Sequence, residues 1–177
     1  MTLDKLNKLT ERDAITLFRQ CCGSVQWARG MQAKRPFKNI DELQNTASIV
    51  WNSLIHADWR EAFSHHPRIG DIKDLRRKFP TTADLAEGEQ SRVATTSEPV
   101  LKALADGNKL YEAKFGFIFI VCATGKSAEE MLEMLSARLH HYPVDEMAIA
   151  AAEQAKITRL RIEKIMSNEF NNTPQER

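Results

Sequence analysis

The sequence has almost no excess charge of one sign. Its 25 Lys and Arg residues face 24 Asp and Glu, for a net charge of +1. That balance excludes a whole-molecule field able to draw in nucleic acid or an acidic membrane. An anionic small molecule has to be held by local groups instead. Long apolar runs are missing as well. The longest, Phe115 to Ala123, is far shorter than the ~20 residues that cross a bilayer. Met1 to Lys8 alternates charged and apolar residues and lacks the apolar core of a signal peptide. The ending Gln175-Glu176-Arg177 is not a peroxisomal tripeptide, so the expected location is the cytoplasm. Cysteine is scarce, with only Cys21, Cys22 and Cys122. The count is odd, the adjacent pair cannot easily bridge, and no C-x-x-C spacing occurs. Reduced, buried thiols are therefore expected.

What is present points to a globular helical protein. Hydrophobic residues make up 42% and charged residues 28%, the proportions of a folded domain. Thr10 and Asp13 are close to a capping box for a helix from Asp13 to Cys22. A short helix from Trp27 to Lys34 is stopped before Arg35-Pro36-Phe37, where pre-proline Arg35 should be extended. Leu43, Ala47, Val50, Trp51 and Leu54 recur at three-and-four spacing, which predicts an amphipathic helix over Ile40 to Ile55. A second short helix is expected over Asp58 to Ser64. An irregular polar stretch, His65 to Thr96, follows, with helical pieces at Lys73 to Lys78 and Leu85 to Val93. Ser97-Glu98-Pro99 opens a helix to about Ala113. Phe115 to Ala123 reads locally as a strand, yet no partner strand is evident, and a lone buried extended segment fits equally well. Ser127 and Glu130 form a capping box for a helix to about His140. Pro143 opens the last helix, which runs to Asn168. No repeat, low-complexity segment or linker interrupts the chain. The expectation is one all-α domain, a bundle of about eight helices, over residues 1–171, with 172–177 as a frayed tail.

The chemistry-bearing residues divide into a few candidates. Thr124-Gly125-Lys126-Ser127 imitates the end of a phosphate-binding loop, but Ile120 stands where that motif needs glycine. A turn and helix cap is the better reading. His65 and His66 are adjacent, with His56 before them and His140-His141 far behind. Neighbours on a helix point about 100° apart, and further spaced ligands are lacking, so no metal site is expected. His66 precedes Pro67, which pushes its backbone out of the helical region and projects it from a helix end. An imidazole there suits acid–base work near neutrality. Asp84, Glu87 and Glu89 follow. They are either solvated carboxylates or groups that orient an imidazolium or accept from a ligand N–H. On the last helix, Met147, Ala150, Gln154, Ile157 and Ile165 all fall within about 40° of Arg161, at about 100° per residue. An arginine on such an inward face either makes a structural salt bridge or holds an anion in its guanidinium fork.

At this point the residues resemble a known family, that of 2-oxo-4-hydroxy-4-carboxy-5-ureidoimidazoline (OHCU) decarboxylase. The matching pieces are Arg35-Pro36-Phe37, His66-Pro67 with Ile69-Gly70, Glu89-Gln90, Lys114-Phe115-Gly116-Phe117 running into Phe119 to Ala123, and Lys156-Ile157 with Leu160-Arg161-Ile162. They stand in the family's order and span most of the chain. The resemblance implies an all-α fold, a homodimer, no cofactor, and decarboxylation of OHCU to (S)-allantoin in urate breakdown. It implies His66 as the catalytic acid–base residue, with Glu89 and Arg161 as its catalytic companions. It further implies substrate contacts from Pro67, from Ala86, Glu87, Gly88, Glu89 and Gln90, from the backbone of Phe119, Ile120, Val121, Cys122 and Ala123, and from Arg161. The family's Ser-x-x-Glu-Gln segment has Ala86 here in place of its serine, so a hydroxyl contact is lost. No appended hydrolase domain is expected, and the preceding step falls to another chain. The competing readings are a decarboxylase or lyase acting on another small ureide, and a non-catalytic helical module binding a ligand or partner through His65 to Thr96.

Overall fold

Helix starts in this chain are set by side chains that accept the first free backbone N–H groups. The structure, a computed structural model, describes residues 1–66 and 97–167. Thr2 caps α1 (Leu3–Lys8), Thr10 caps α2 (Glu11–Cys21), Ser24 caps α3 (Val25–Ala33) and Asn39 caps α4 (Ile40–Asn52). At the start of α5 (His56–Ser64), the Asp58 carboxylate accepts from the Ile55 N–H at 3.3 Å. α6 (Glu98–Phe115) has proline in its first turn and ends at Gly116, whose φ of 72° lies in the left-handed region. Ser127 and Glu130 form the expected capping box of α7 (Ala128–Arg138). α8 (Pro143–Ser167) is the longest element. The described residues thus hold eight helices and no strand, the all-α fold that was expected.

The differences from expectation are local. α1 has no counterpart among the expected helices, because its 6 residues are too few to show a period. Residues 118–123 are neither helix nor paired strand. A strand needs partners for its backbone groups. The Ile120 carbonyl instead accepts from Arg138 Nη1 at 2.8 Å. The expected pieces at Lys73 to Lys78 and Leu85 to Val93, and the tail 172–177, lie outside the described residues.

The chain divides into two compact units: Met1–His66 with the chain from Ala151 onward, and Pro67–Ala150. In the first, Leu6, Phe18, Trp27, Met31, Leu43 and Trp51 are buried, each worth about 1.5–3 kcal/mol against exposure. Phe18 meets Trp27 edge-on, with ring centroids 5.9 Å apart. The two buried indoles are also satisfied as donors. Trp27 Nε1 donates to the Ala47 carbonyl and Trp51 Nε1 to the Ala151 carbonyl, both at 3.0 Å. The second contact ties α4 to α8.

The Arg35-Pro36-Phe37 segment proves to be a structural tie. The Arg35–Pro36 peptide is cis. Arg35 Nη1 donates to the carbonyls of Leu6 at 2.8 Å and Leu9 at 2.9 Å, at the open C-terminal end of α1. The Asn7 amide pairs with both backbone groups of Phe37, at 2.8 and 2.9 Å. In the second unit, Tyr111, Phe115, Phe117 and Phe119 form an aromatic cluster with centroid spacings of 4.5–5.8 Å from Tyr111.

Candidate active site

The end of α5 delivers two histidines into different environments. Backbone bonds from His65 N–H to the Ala62 carbonyl and from His66 N–H to the Phe63 carbonyl close the last turn. His65 is exposed, and its ring lies between the Glu61 carbonyl, 2.9 Å from Nδ1, and Arg19 Nη2, 3.3 Å from Nε2. Its Cβ packs so tightly on Gly23 that a Cβ at residue 23 would lie 2.4 Å away. His66 is half-buried instead, and its Nε2 meets Gln154 Oε1 of α8 at 2.5 Å. The Gln154 amide nitrogen donates to Thr158 Oγ1 at 3.1 Å, and Thr158 hydrogen-bonds the Cys22 thiol. Gln154 and Cys22 are fully buried, and Thr158 nearly so.

Burial is the main reason His66 is harder to protonate than an ordinary imidazole. The Gln154 hydrogen bond works against that shift, while the positive charge of Arg161 and neighbouring His65 add to it. His66 therefore enters the neutral pH range as a free base. The two thiols behind it are inert: burial pushes Cys21 up to about 12 and Cys22 up to about 11. Cys21 and Cys22 are buried, and Cys122 is half-buried.

Arg161 sits on the flank of the buried face of α8. Ala151, Gln154, Thr158 and Ile162 form the buried stripe, while Ile157, Arg161 and Ile165 are half-buried. Its Nη1 donates to the Cys21 carbonyl at the end of α2, at 3.2 Å. Among the described residues no carboxylate pairs with it, and one of its five N–H donors is engaged there. The structural-salt-bridge reading of Arg161 has no support there.

Of the expected site residues, the first unit thus brings together His66 and Arg161. Pro67, Ala86, Glu87, Gly88, Glu89 and Gln90 lie outside the described residues. Phe119, Ile120 and Val121 are buried within the second unit, with Cys122 and Ala123 half-buried. One of these backbone acceptors is already engaged, since Arg138 takes the Ile120 carbonyl. Gly125 lies in a turn with φ of 76°, and Ser127 is spent as a helix cap, as expected of a phosphate-loop imitation. Gln154 was read only as a member of the inward face. Its position about two turns before Arg161 was the available signal, but nothing local shows what a buried amide will face.

Residues 7–163 match the family described as OHCU decarboxylase. A protein of Arabidopsis thaliana, "Uric acid degradation bifunctional protein TTL", is 38% identical over 85% of this chain, which spans 47% of that relative's length. The OHCU decarboxylase of Xenopus laevis is 31% identical over 77% of this chain and 78% of its own. A crystal structure of OHCU decarboxylase in the presence of (S)-allantoin has a TM-score of 0.68 and 40% identity, covering 85% of this chain and 96% of that one. The helical fold and the match over nearly the whole length lead to one conclusion: the chain belongs to the OHCU decarboxylase family.

Proposed function

We propose that this chain decarboxylates OHCU to (S)-allantoin without a cofactor, and that His66 moves the proton. The observation that carries the reading is a half-buried, neutral His66 held by Gln154, in the field of Arg161, which pairs with no carboxylate among the described residues. Carbon dioxide leaves from the ring carbon that bears the hydroxyl. The electron pair passes into the adjacent ring C=N, so the substrate is its own electron sink. The enol left behind becomes a carbonyl as His66 takes the hydroxyl proton. His66 then returns a proton to one face of the neighbouring ring carbon, and the ring nitrogen takes one more from solvent. Delivery to one face sets the S configuration.

Arg161 holds the anionic or carbonyl-rich edge of the ring, which a bidentate guanidinium suits. Glu89 and Gln90 bond the ureido group, on the strength of the family resemblance. The reading extends to a homodimer in the cytoplasm. No described helix is long and apolar enough to cross a membrane.

The test is His66→Asn, which keeps the size of the side chain. The variant folds, and turnover of OHCU generated in situ from urate falls by about 10²–10⁴-fold, the usual worth of a positioned acid–base group. Circular dichroism of the accumulating allantoin reads both rate and handedness. Full stereospecific turnover by the variant would falsify the assignment.

A further inference from the structure

We propose that Gln154, oriented by Thr158, is a positioning residue that holds His66 as its Nε2–H tautomer and so makes Nδ1 the nitrogen that exchanges the proton. The inference rests on the reading of His66 as the proton-transfer group and adds the nitrogen and the residue that selects it.

A neutral imidazole has one N–H and one lone pair, and the partner of one nitrogen decides the role of the other. Here the hydrogen-bond geometry sets the direction. The Thr158 hydroxyl oxygen accepts the Gln154 amide N–H at 3.1 Å. That bond turns the Gln154 carbonyl oxygen toward His66 Nε2. A carbonyl oxygen can only accept, so Nε2 carries the hydrogen and Nδ1 the lone pair.

The neighbouring histidine shows the contrary setting. His65 Nδ1 faces the Glu61 carbonyl and its Nε2 faces the Arg19 guanidinium. Those partners force the hydrogen onto Nδ1. Two adjacent rings are thus held in opposite tautomers by fixed-direction groups. The choice of an amide at residue 154 also has a chemical consequence. A carboxylate there would favour the imidazolium strongly and spoil a base that starts neutral. The amide oxygen selects the tautomer with only a weak pull in that direction.

The deciding measurement is ring-nitrogen NMR of the full chain labelled with ¹⁵N-histidine, with His66 assigned by the missing signals of His66→Asn. The wild type is expected to show His66 Nε2 as a protonated, pyrrole-type nitrogen and Nδ1 as a pyridine-type nitrogen. Gln154→Leu, close in volume, should mix the tautomers, with kcat falling by roughly 10- to 100-fold, less than the ~10²–10⁴-fold that a positioned acid–base group itself contributes, and KM little changed. Thr158→Val should mix them to a smaller degree by freeing the Gln154 amide to turn.

The pH profile supplies an independent sign. Among the described residues, the charged or titratable groups around His66 are Arg161 on α8, His65 beside it, and the Glu61 and Arg19 that hold the Cys22 and His65 surroundings. None of these changes in the variants. Gln154→Glu should therefore move the acid limb of kcat/KM to higher pH, and Gln154→Leu to lower pH. A wild-type His66 protonated on Nδ1, or a Gln154→Leu protein that keeps a pure Nε2–H tautomer, overturns the proposal. If the spectra go as expected while His66→Asn still turns OHCU over, the proton-transfer reading falls and the tautomer assignment stands.

Discussion

Arg138 and Arg161 are both interior-facing arginines on helices, and they differ in how much of each is already spoken for. Arg138, 5% exposed, donates from Nε to Glu146 at 2.7 Å, from Nη1 to the Ile120 carbonyl at 2.8 Å and from Nη2 to the Tyr111 hydroxyl at 3.2 Å. Its guanidinium also lies 4.6 Å from the centroid of the Phe119 ring. Glu146 is wholly buried and is shared with Tyr111 and with His141, whose Nδ1 lies 2.7 Å away. The Arg138 and Glu146 charges in that network are thus taken up by protein groups. Arg161 is half-buried and, among the described residues, spends one donor on a helix-end carbonyl. Burial alone therefore does not separate a structural charge from a binding one. The number of committed donors does.

The largest effect expected from breaking this contrast is on stability. Arg138→Met takes the guanidinium away from the wholly buried Glu146, leaving it His141 and Tyr111, and should cost about 3–5 kcal/mol, read from urea unfolding. A loss under about 1 kcal/mol would mean that the network is not closed. Gly23→Ala places a Cβ 2.4 Å from the His65 Cβ. Backbone must move there, at about 1–3 kcal/mol, and the turn carrying His66 moves with it. Turnover per folded molecule should therefore fall too, whereas unaltered kinetics would separate Gly23 from the site.

Arg161 should behave oppositely to Arg138. Arg161→Met is expected to change stability by less than about 1 kcal/mol, while kcat/KM falls roughly 10- to 100-fold, the worth of a charge-assisted bond of about 1.5–3 kcal/mol. Arg161→Lys should recover part of that loss but not the geometry of the fork. Normal kinetics in the Met variant would return Arg161 to a purely structural role. The smallest effect is the position of a pH limb. Burial holds His66 below its ordinary value of 6.5, and its neutral form is the active one. Activity should persist down to pH 6.5 and decline only below it, so an acid limb above 6.5 contradicts the account. The same shift destabilises the fold as pH drops from 6.5 through the lowered value, because the unfolded chain binds the proton more readily.

Much of the framework was legible in advance because helix capping is a local matter. Thr10, Ser127 and the proline of α6 each act within three or four residues of themselves. The period of Leu43, Ala47, Val50 and Trp51 likewise marked the buried face of α4. Arg35-Pro36-Phe37 was visible as a motif, but its work is done on α1, about 30 residues back in the chain, and no local pattern shows that. The aromatic and β-branched run ending at Ala123 looked like a strand for a similar reason. Propensity reports what a segment tolerates, and pairing depends on what lies beside it.

The proton-transfer candidate shows the division most clearly. Sequence was enough to put His66 at a helix end ahead of Pro67 and to place Arg161 on the helix face of Gln154, since both follow from chain stereochemistry and helical period. The ordered motifs named the family. Only tertiary structure chose between the adjacent rings, by setting His65 against Arg19 and the Glu61 carbonyl and His66 against a buried amide. It also separated Arg138 from Arg161. Hydrogen-bond direction and desolvation depend on which groups meet across the fold, and that is decided by packing rather than by neighbours along the chain.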